Sequence, residues 1–571
     1  MTRTRRLAAA LAIVAAVALA GSGCTVIPVT GPLTVQETGS GDPLSKPFQR
    51  MIAIPPRPTW GPDETIRGLQ AAMAAYADDP SILAKYLTPE ARAAWNPSGP
   101  VAVIEDEYEI VPSTPRDDAA QAQTFTLKGR WVAKIEEDDS YTPTAGVSPR
   151  TFQLVKAEGG GYRVSGLEDG LLLTNADVTR AYRATNLYYL TGKTQDRLVV
   201  DRVRLRLKPT QTYAQTILER LLKSPSHALK GAVTTSFPPG TKIESIRSDE
   251  RVVINLSGPL SLSAEDTLSA QIRYSLNKNE IAKGRVIEIQ VDGEPYTVDR
   301  PSADDHWLDD TSDTAYYVSK GAVHYMGQDG PAGAVPGAAG EQRTGYSGFA
   351  VSRDGALIAA RTSTGISVAG LTQEGRWQEV IQGTRLTPPT WHRDGSLWTY
   401  DSQNGVLLRY DPITGRGPDR VAAPKLSGLD VTKLRIARDG VRVAVMTGEN
   451  TVHIGALTGG SAGTMLGAFQ VLTTTEVGNK ITSVAWEDDE HVLVLAEGKA
   501  GQTLNEINVG DGEVVGVPLK DPLESVTALG GRVLAEAMTD QGAKIEELDQ
   551  DRQTWTVKIE SDAGSPLFPL G

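Results

Sequence analysis

The chain has 571 residues, with 57 basic and 70 acidic side chains and a formal net charge of −13. Such an acidic chain lacks the polybasic surface that nucleic acid or an anionic membrane would require, so we expect neither as a charge-driven ligand. The length predicts about three domains, and the single cysteine, Cys24, excludes an intramolecular disulfide framework.

Residues 1–23 have the pattern of an export signal peptide. Three arginines among the first six residues precede an apolar run of fourteen residues from Leu7 to Ala20. A helix that crosses a bilayer needs about twenty apolar residues, so the pattern favours a cleaved leader over a retained membrane anchor. Cleavage after Gly23 removes the three arginines from the net charge of −13 and leaves −16. The arginine pair leaves both Sec and twin-arginine export open.

Cys24 follows three small residues at the predicted cleavage site. This ending resembles the bacterial lipoprotein box, although Gly21 stands where the box usually has Leu. The resemblance implies that Cys24 becomes the new N-terminus and carries S-diacylglycerol and N-palmitoyl groups on the extracytoplasmic face of the cell membrane. Acyl chains contribute about 0.8 kcal/mol per buried methylene, so two or more make a stable anchor. Residues 24–47, rich in Thr, Pro, Gly and Ser, are predicted to be an extended linker.

Residues 48–178 are predicted to form an NTF2-like α+β domain, in which helices close over a curved antiparallel sheet. Asp63 is the predicted cap of the first helix, and a second helix is predicted from Pro80 to Ala94. Strands with alternating apolar residues follow. A cone of this kind can hold a ligand, but the pattern favours a filled core. The predicted buried stripe of the first helix is Ile66, Leu69, Met73 and Tyr76.

The pattern of residues 179–300 predicts strands interrupted by two helices. The first helix has its apolar stripe at Tyr213, Ile217 and Leu221, and Ser263 with Asp266 is the predicted capping box of the second. Three strings resemble the GerMN domain, a small α+β module of spore germination proteins. They are Ala232 to Lys242, Ile254 to Ser257 and Gln271 to Leu276.

A short pattern recurs between residues 310 and 571. Asp354-Gly355, Asp394-Gly395 and Asp439-Gly440 each join two apolar strands, and Trp486 to Glu490 is a degenerate fourth copy. The offsets between the three aspartates, 40 and 45 residues, match a four-stranded propeller blade. Asp-Gly supplies the positive φ that a tight hairpin turn needs. We therefore predict a C-terminal β-propeller of five or six blades.

The sequence contains no recognisable catalytic, metal or cofactor motif. The six histidines lack the spacing of a zinc site. The segment around Ser347 lacks the last glycine of a nucleophile elbow. The segment from Gly370 to Gly375 lacks the lysine of a phosphate-binding loop. The acidic runs Glu136 to Asp139 and Asp304-Asp305 are predicted to be solvated loops rather than calcium or acid–base sites. We therefore expect a protein that is not an enzyme and uses no cofactor.

Taken in order, the lipid box, the first α+β domain, the GerMN-like domain and the propeller resemble the actinobacterial LpqB lipoprotein family. The segment from Tyr86 to Trp95 is similar to the N-terminal domain of that family. The resemblance implies binding to the extracytoplasmic domain of the sensor kinase MtrB. It also implies modulation of that kinase's two-component system, with effects on cell-envelope homeostasis and cell division. A lipid tether suits this role because it raises the effective concentration at the membrane.

The alternative hypothesis is a cell-wall glycan-binding or envelope-assembly accessory lipoprotein, with peptidoglycan as the partner. In that case Trp391 or Trp398, exposed on a propeller face, would stack on sugars. A hydrolase built on the propeller is the third hypothesis, and it would need two carboxylates that converge in the central channel.

Overall fold

The structure is a computed structural model that describes residues 33–37, 44–46, 48–113, 120–144, 146–192, 194–208, 210–282, 284–299, 307–308, 314–460, 463–540 and 542–570. The predicted leader, Cys24 and the acidic pair Asp304-Asp305 lie outside these residues. The described chain forms two α+β modules followed by a β-propeller, which confirms the predicted fold class. Within the described chain, no helix has the length and apolar character needed to span a membrane.

The first module packs helices against one six-stranded sheet. Its helices are α1 (Pro62–Ala74), α2 (Pro80–Ala84), α3 (Pro89–Ala94) and α4 (Asn175–Ala181). Its strands are β1 (Leu33–Glu37), β2 (Phe48–Ile52), β3 (Val101–Pro112), β4 (Ala122–Ile135), β5 (Tyr141–Pro143), β6 (Val147–Lys156), β7 (Tyr162–Gly166) and β8 (Leu172–Thr174). The sheet order is β7-β6-β4-β3-β8 with β5 paired to β4, while β1 and β2 form a separate antiparallel pair.

Helix α1 buries Ile66, Leu69 and Met73 of the predicted stripe, whereas Tyr76 lies beyond its end at Ala74 and is half-buried. The cap also differs from the prediction. Gly61 is the cap, and its N–H donates to the Glu64 carboxylate at 3.0 Å. Pro62 fits the first turn because that position needs no N–H donor. Asp63 lies one residue inside the helix, where it pairs with Arg67. The core between the helices and the sheet is filled, as predicted, by side chains that include Ile66, Leu69, Met73, Val103, Leu127 and Leu154.

The single helix predicted from Pro80 to Ala94 is wrong. Helix α2 ends at Ala84, and Leu87 then forms a β-bridge with Val164. Thr88 then caps α3 with its side chain. A continuous helix fails here because Pro89 has no N–H to donate and disfavours helical geometry in the residue before it.

The second module contains two helices and two small sheets. Its helices are α5 (Tyr213–Leu221) and α6 (Glu265–Asn277). Its strands are β9 (Tyr182–Thr191), β10 (Leu198–Arg206), β11 (Val233–Thr234), β12 (Lys242–Ser248), β13 (Val252–Ser257), β14 (Ile287–Val291) and β15 (Glu294–Asp299). The sheet orders are β10-β9-β11 and β12-β13-β14-β15, and only β13 and β14 are parallel. Both helices bury their apolar faces in one shared core.

The capping box predicted for α6 is wrong. Residues Leu262–Ala264 form a 3₁₀ turn, and Ala264 occupies the cap position without a side-chain hydrogen bond. The hydroxyl of Ser263 instead lies 2.8 Å from the hydroxyl of Ser261. The 3₁₀ turn therefore replaces the side-chain cap at this helix end.

The predicted extended linker, residues 24–47, contains structure where it is described. Leu33–Glu37 pairs along its length with Phe48–Ile52. Leu44 is buried in the core of the second module, and its carbonyl accepts the N–H of Ala214 at 3.0 Å. The end of the linker is therefore attached to the fold, because an apolar residue there gains more from burial than from exposure.

The propeller consists of six four-stranded antiparallel sheets in the described chain, which settles the predicted range of five or six blades. Blade 1 contains β16 (Ala315–Ser319), β17 (Ala322–Gly327), β18 (Gly330–Ala334) and, from the C-terminus, β39 (Gly564–Leu567). Blade 2 contains β19 (Ser347–Val351), β20 (Leu357–Arg361), β21 (Gly365–Gly370) and β22 (Gln378–Gln382). Blade 3 contains β23 (Thr390–Trp391), β24 (Leu397–Asp401), β25 (Val406–Tyr410) and β26 (Asp419–Val421).

Blades 4 to 6 complete the ring. Blade 4 contains β27 (Val431–Ile436), β28 (Arg442–Thr447), β29 (Thr451–Gly460) and β30 (Gly463–Thr474). Blade 5 contains β31 (Lys480–Trp486), β32 (His491–Gly498), β33 (Gly501–Asn508) and β34 (Val514–Val517). Blade 6 contains β35 (Leu523–Leu529), β36 (Arg532–Thr539), β37 (Gly542–Leu548) and β38 (Trp555–Ile559). The C-terminal strand β39 pairs with β16, so the two ends of the propeller close in one sheet.

The predicted Asp-Gly turns join the first and second strands of blades 2, 3 and 4. The glycines have φ of +67° at Gly355, +86° at Gly395 and +70° at Gly440. These angles lie in the left-handed region, which glycine adopts without steric cost. The repeat is therefore confirmed as a turn device, and it places these turns on one face of the propeller.

Candidate functional site

Strand β10 of the second module contacts the turn-bearing face of the propeller through arginines. Arg202 Nε donates to Asp511 Oδ2 at 2.7 Å, and Arg204 Nη2 donates to the same oxygen at 2.8 Å. Arg197 just before the strand donates to Asp489 at 2.7 Å. We call these five residues the domain junction. Its centre is Asp511, whose side chain is only 1% exposed and is held between two cations.

A second, more deeply buried ion pair lies beside the domain junction. Asp439 and Arg442, 0% and 7% exposed, join at 2.8 Å. Asp439 also accepts the backbone N–H groups of Val441 and Arg442. Arg442 in turn donates to the Val200 carbonyl in β10. The third Asp-Gly turn of the repeat therefore holds the neighbouring module as well as its own hairpin.

The acidic run Glu136 to Asp139, predicted to be a solvated loop, contacts the second module instead. Arg220 donates to the Asp139 carboxylate at 3.0 Å and to the Asp138 carbonyl at 2.6 Å. Asp138 accepts the backbone N–H of His227 at 2.6 Å. Burial alone would raise the pKa of Asp138, but hydrogen bonds from His227 and Ser140 outweigh it and lower that pKa. The run is therefore a charged contact between modules.

His491 forms a further charged cluster, next to the domain junction. Its Nδ1 lies 2.9 Å from Asp488 Oδ2, and its Nε2 lies 3.8 Å from Glu506 Oε1. Burial alone would lower the pKa of His491. The hydrogen bond to Asp488 and the charges of Asp488, Glu490 and Glu506 outweigh burial and raise this pKa to about 9. His491 is therefore a cation at neutral pH.

A cleft of about 590 Å³ separates the second module from the turns of blades 2 to 4. His392 lines this cleft, but both of its ring nitrogens are occupied. Nε2 donates to the Gly440 carbonyl at 2.8 Å, and Nδ1 lies 3.1 Å from the N–H of Asp394. Arg409 pairs with Asp394 at 3.0 Å. The cleft therefore contains charged groups beside an apolar lining that includes Val233, Val441 and Leu457. His392 is not positioned as a general base.

The residues predicted as candidates for chemistry lie apart in the structure. Ser347 begins β19 on the exposed surface. Across the residues that the structure describes, no group of three or more His, Cys, Asp or Glu side chains could hold a metal ion. His306 and the predicted lipid attachment site, Cys24, lie outside those residues.

The tryptophans predicted to stack on sugars are buried, which contradicts their proposed role. Trp391 and Trp398 are 1% and 2% exposed. The indole N–H of Trp391 donates to the Ala350 carbonyl at 3.0 Å, and that of Trp398 donates to Ser396 Oγ at 2.8 Å. Each aromatic ring packs between blades, because burial of so large an apolar surface stabilises the propeller.

Sequence reasoning missed the arginines of the domain junction. The segment Asp201 to Arg206 alternates charged and apolar residues, which predicts a strand with one polar face. Arg202, Arg204 and Arg206 share that face. This concentration of positive charge on one strand was the signal that the sequence offered. Their partners were not predictable, because Asp511 lies 309 residues further along the chain from Arg202.

Three family models match consecutive parts of this chain. The model described as "Lipoprotein LpqB, N-terminal domain" matches residues 55–179, and "Sporulation and spore germination" matches residues 186–297. "Lipoprotein LpqB beta-propeller domain" matches residues 325–569. Lipoprotein LpqB from Thermobifida fusca is 26% identical, with 99% of each chain covered. The chain belongs to the LpqB lipoprotein family.

A second LpqB relative has the same identity over a smaller part of the chain. Lipoprotein LpqB from Streptomyces coelicolor is 26% identical, with 84% of this chain and 85% of that protein covered. These LpqB relatives are named for a lipoprotein and not for an enzyme. Among solved structures, TolB from Acinetobacter baumannii is similar at a TM-score of 0.37 and 14% identity, covering 70% of this chain and 90% of that chain.

Proposed function

We propose that this LpqB-family protein is held by lipid on Cys24 at the extracytoplasmic face of the membrane. There it binds the extracytoplasmic domain of the sensor kinase MtrB. Binding modulates the two-component system and so affects cell-envelope homeostasis and cell division. The observation that carries the proposal is the match to an LpqB lipoprotein over 99% of both chains.

The packing of the modules supports a role in binding. The second module is joined to the first through Arg220 and to the propeller through Asp511. Charged groups that are buried and paired hold a defined geometry, because separating them leaves uncompensated charge. A partner that contacts one module therefore meets a surface whose orientation is fixed by the others. Such preorganisation lowers the entropic cost of association.

A direct binding measurement tests the proposal. The chain without its leader, with Cys24→Ser to prevent acylation, is titrated against the purified extracytoplasmic domain of MtrB. We expect saturable binding with a dissociation constant in the micromolar range or tighter. The extracytoplasmic domain of an unrelated sensor kinase is the control. Absence of binding at tens of micromolar, or equal binding to both domains, contradicts the proposal.

The lipid anchor has its own test. Mass spectrometry of the mature protein purified from membranes is expected to show an acylated N-terminal Cys24. In cells, Cys24→Ser is expected to move the protein out of the membrane fraction. A free thiol at Cys24, or a leader that is still attached, contradicts the anchor.

The glycan-binding alternative has lost its structural argument, because Trp391 and Trp398 are both buried. Retention of the purified protein on peptidoglycan in the absence of the kinase is the result that would favour this alternative.

A further inference from the structure

The central channel of the propeller contains two cations on one strand. Lys433 and Arg435 are alternate residues of β27, which is the inner strand of blade 4. The residues between and after them, Leu434 and Ile436, are 1% exposed and pack in the core against blade 3. Because side chains alternate along a strand, Lys433 and Arg435 share the opposite side. Both are partly accessible, as expected of side chains that line a channel.

These two cations reach the inner strands of both neighbouring blades. Lys433 Nζ lies 3.4 Å from the hydroxyl of Ser483 in β31 of blade 5. Arg435 donates to the Pro389 carbonyl, directly before β23 of blade 3, at 3.0 Å. Their side chains therefore cross the region where the inner strands of blades 3, 4 and 5 meet, around the axis of the propeller.

The groups that hydrogen-bond the two cations are neutral: the Ser483 hydroxyl and the carbonyls of Pro389 and Leu434. In the portion of the chain that the structure describes, no carboxylate lies within ion-pair distance of Lys433 or Arg435. Burial and the positive charge of Arg435 lower the pKa of Lys433 to about 7, and burial lowers the pKa of Arg435 to about 10. Two like charges that lie side by side in a channel without a counter-charge are costly, and proteins usually pair them.

A third cation, Arg438, closes one end of the channel. Arg438, which is 4% exposed, lies on the face that meets the second module. Its guanidinium donates to carbonyls at the strand ends of three other blades: Trp486 at 3.3 Å, Ala528 at 2.6 Å and Pro569 at 3.5 Å. A ligand would therefore enter from the opposite end, where β27 begins, and would meet Lys433 first.

We propose that the propeller channel is an oxyanion-binding site, in which Lys433 and Arg435 hold a phosphate or carboxylate group. Alternate residues of a strand lie roughly 7 Å apart, so one oxyanion between them can accept hydrogen bonds from both. The hydroxyl of Ser483 is a further donor at the same level. The group can belong to a free phosphate ion or to the terminal carboxylate of a peptide. This inference is independent of the proposed kinase partner.

The test measures anion binding to the full processed chain, with its lipid, in detergent micelles. Sodium phosphate is titrated by calorimetry and by thermal melting, against sodium chloride at matched ionic strength. We expect phosphate, but not chloride, to raise the melting temperature and to bind with measurable heat. In Lys433→Met we expect the affinity for phosphate to fall at least tenfold. Lys499→Met, a change at an exposed lysine, is the matched control and is expected to bind as the wild type does.

A second arm distinguishes the two sources of the oxyanion. A short peptide with a free C-terminal carboxylate is compared with the same peptide amidated. Preference for the free acid, with competition by phosphate, supports a protein terminus as the source. Binding of phosphate alone supports a small ion.

Two outcomes would contradict the proposed oxyanion site. They are no binding of either probe, or equal phosphate binding by the wild type and Lys433→Met. Without phosphate, Lys433→Met is expected to melt no lower than the wild type, because it removes an uncompensated charge. Lys433→Gln is a second variant that keeps the test valid if the Met variant does not fold.

Discussion

At the scale of single residues, the Asp-Gly turns show what a local pattern predicts and what it leaves open. The positive φ of each glycine depends only on the turn, so the sequence was sufficient to predict it. The atoms that surround each glycine depend on tertiary packing, which the local pattern does not predict. Around a Cβ built on Gly395 the space is open within 4 Å, whereas a Cβ on Gly440 would lie 2.7 Å from Arg393 Cδ.

The two turns therefore predict different costs for the same substitution. Gly395→Ala should destabilise the protein by about 1 kcal/mol, the cost of a side chain in left-handed geometry. Gly440→Ala should cost more, because moving Arg393 away disturbs its hydrogen bond to the Arg438 carbonyl at 3.2 Å. Thermal and urea denaturation of both variants measure the difference. Equal losses would mean that Arg393 moves freely, contrary to the structure.

The charge of His491 predicts a dependence of stability on pH. Its pKa is about 9 in the folded protein against an ordinary 6.5. The protonated form therefore stabilises the fold fully below pH 6.5, and this contribution is lost as the pH rises through about 9. The linked free energy is at most about 3 kcal/mol.

Comparison with a variant that cannot titrate isolates this effect. The melting temperature of the wild type should fall between pH 6.5 and 9.5 by more than that of His491→Gln. Parallel pH profiles for the two proteins would show that His491 does not carry the effect.

At the scale of elements, amphipathic stripes were predictable and element ends were not. The stripes of α1 and α5 follow from apolar spacing alone. Pro89 signals in the sequence that a helix from Pro80 cannot continue, but the earlier end of α2 comes with the β-bridge of Leu87 to Val164. The 3₁₀ turn before α6 comes with the hydroxyl pairing of Ser261 with Ser263. Those contacts are tertiary or depend on the geometry of the preceding turn, which spacing does not reveal.

The charges of strand β10 were visible in the sequence, but their partners were not. Two of the partners of Arg202 provide a matched pair of variants. Asp511 and Glu513 both pair with Arg202, but their side chains are 1% and 58% exposed. Asp511→Asn should destabilise the protein by about 3 kcal/mol or more, because two cations lose their buried partner. Glu513→Gln should cost less than about 1 kcal/mol, since exposed pairs contribute little.

Thermal unfolding followed by circular dichroism measures both variants. Small-angle scattering then shows whether the propeller separates from the second module in Asp511→Asn. An equal effect of the two substitutions would contradict the importance assigned to burial at the domain junction.

At the scale of the whole molecule, the order of modules was predictable, whereas their mutual contacts were not. The repeat of Asp-Gly turns predicted the propeller from its own period, and the GerMN-like strings predicted the second module by resemblance. The sequence predicted five or six blades, and the described chain has six. The sixth is complete because the C-terminal strand β39 joins blade 1 beside β16. That closure joins the two ends of the repeat region, and no local pattern marks it.

We propose that this LpqB-family protein acts on a kinase from the membrane surface. Tethering should raise its effective concentration without any new contact. The decisive measurement reconstitutes MtrB in vesicles and follows its autophosphorylation while the acylated protein or Cys24→Ser is added. We expect the acylated protein to change the rate at a concentration about 100-fold lower than Cys24→Ser does. Identical concentration dependence, or no change in rate with either protein, would contradict the proposal.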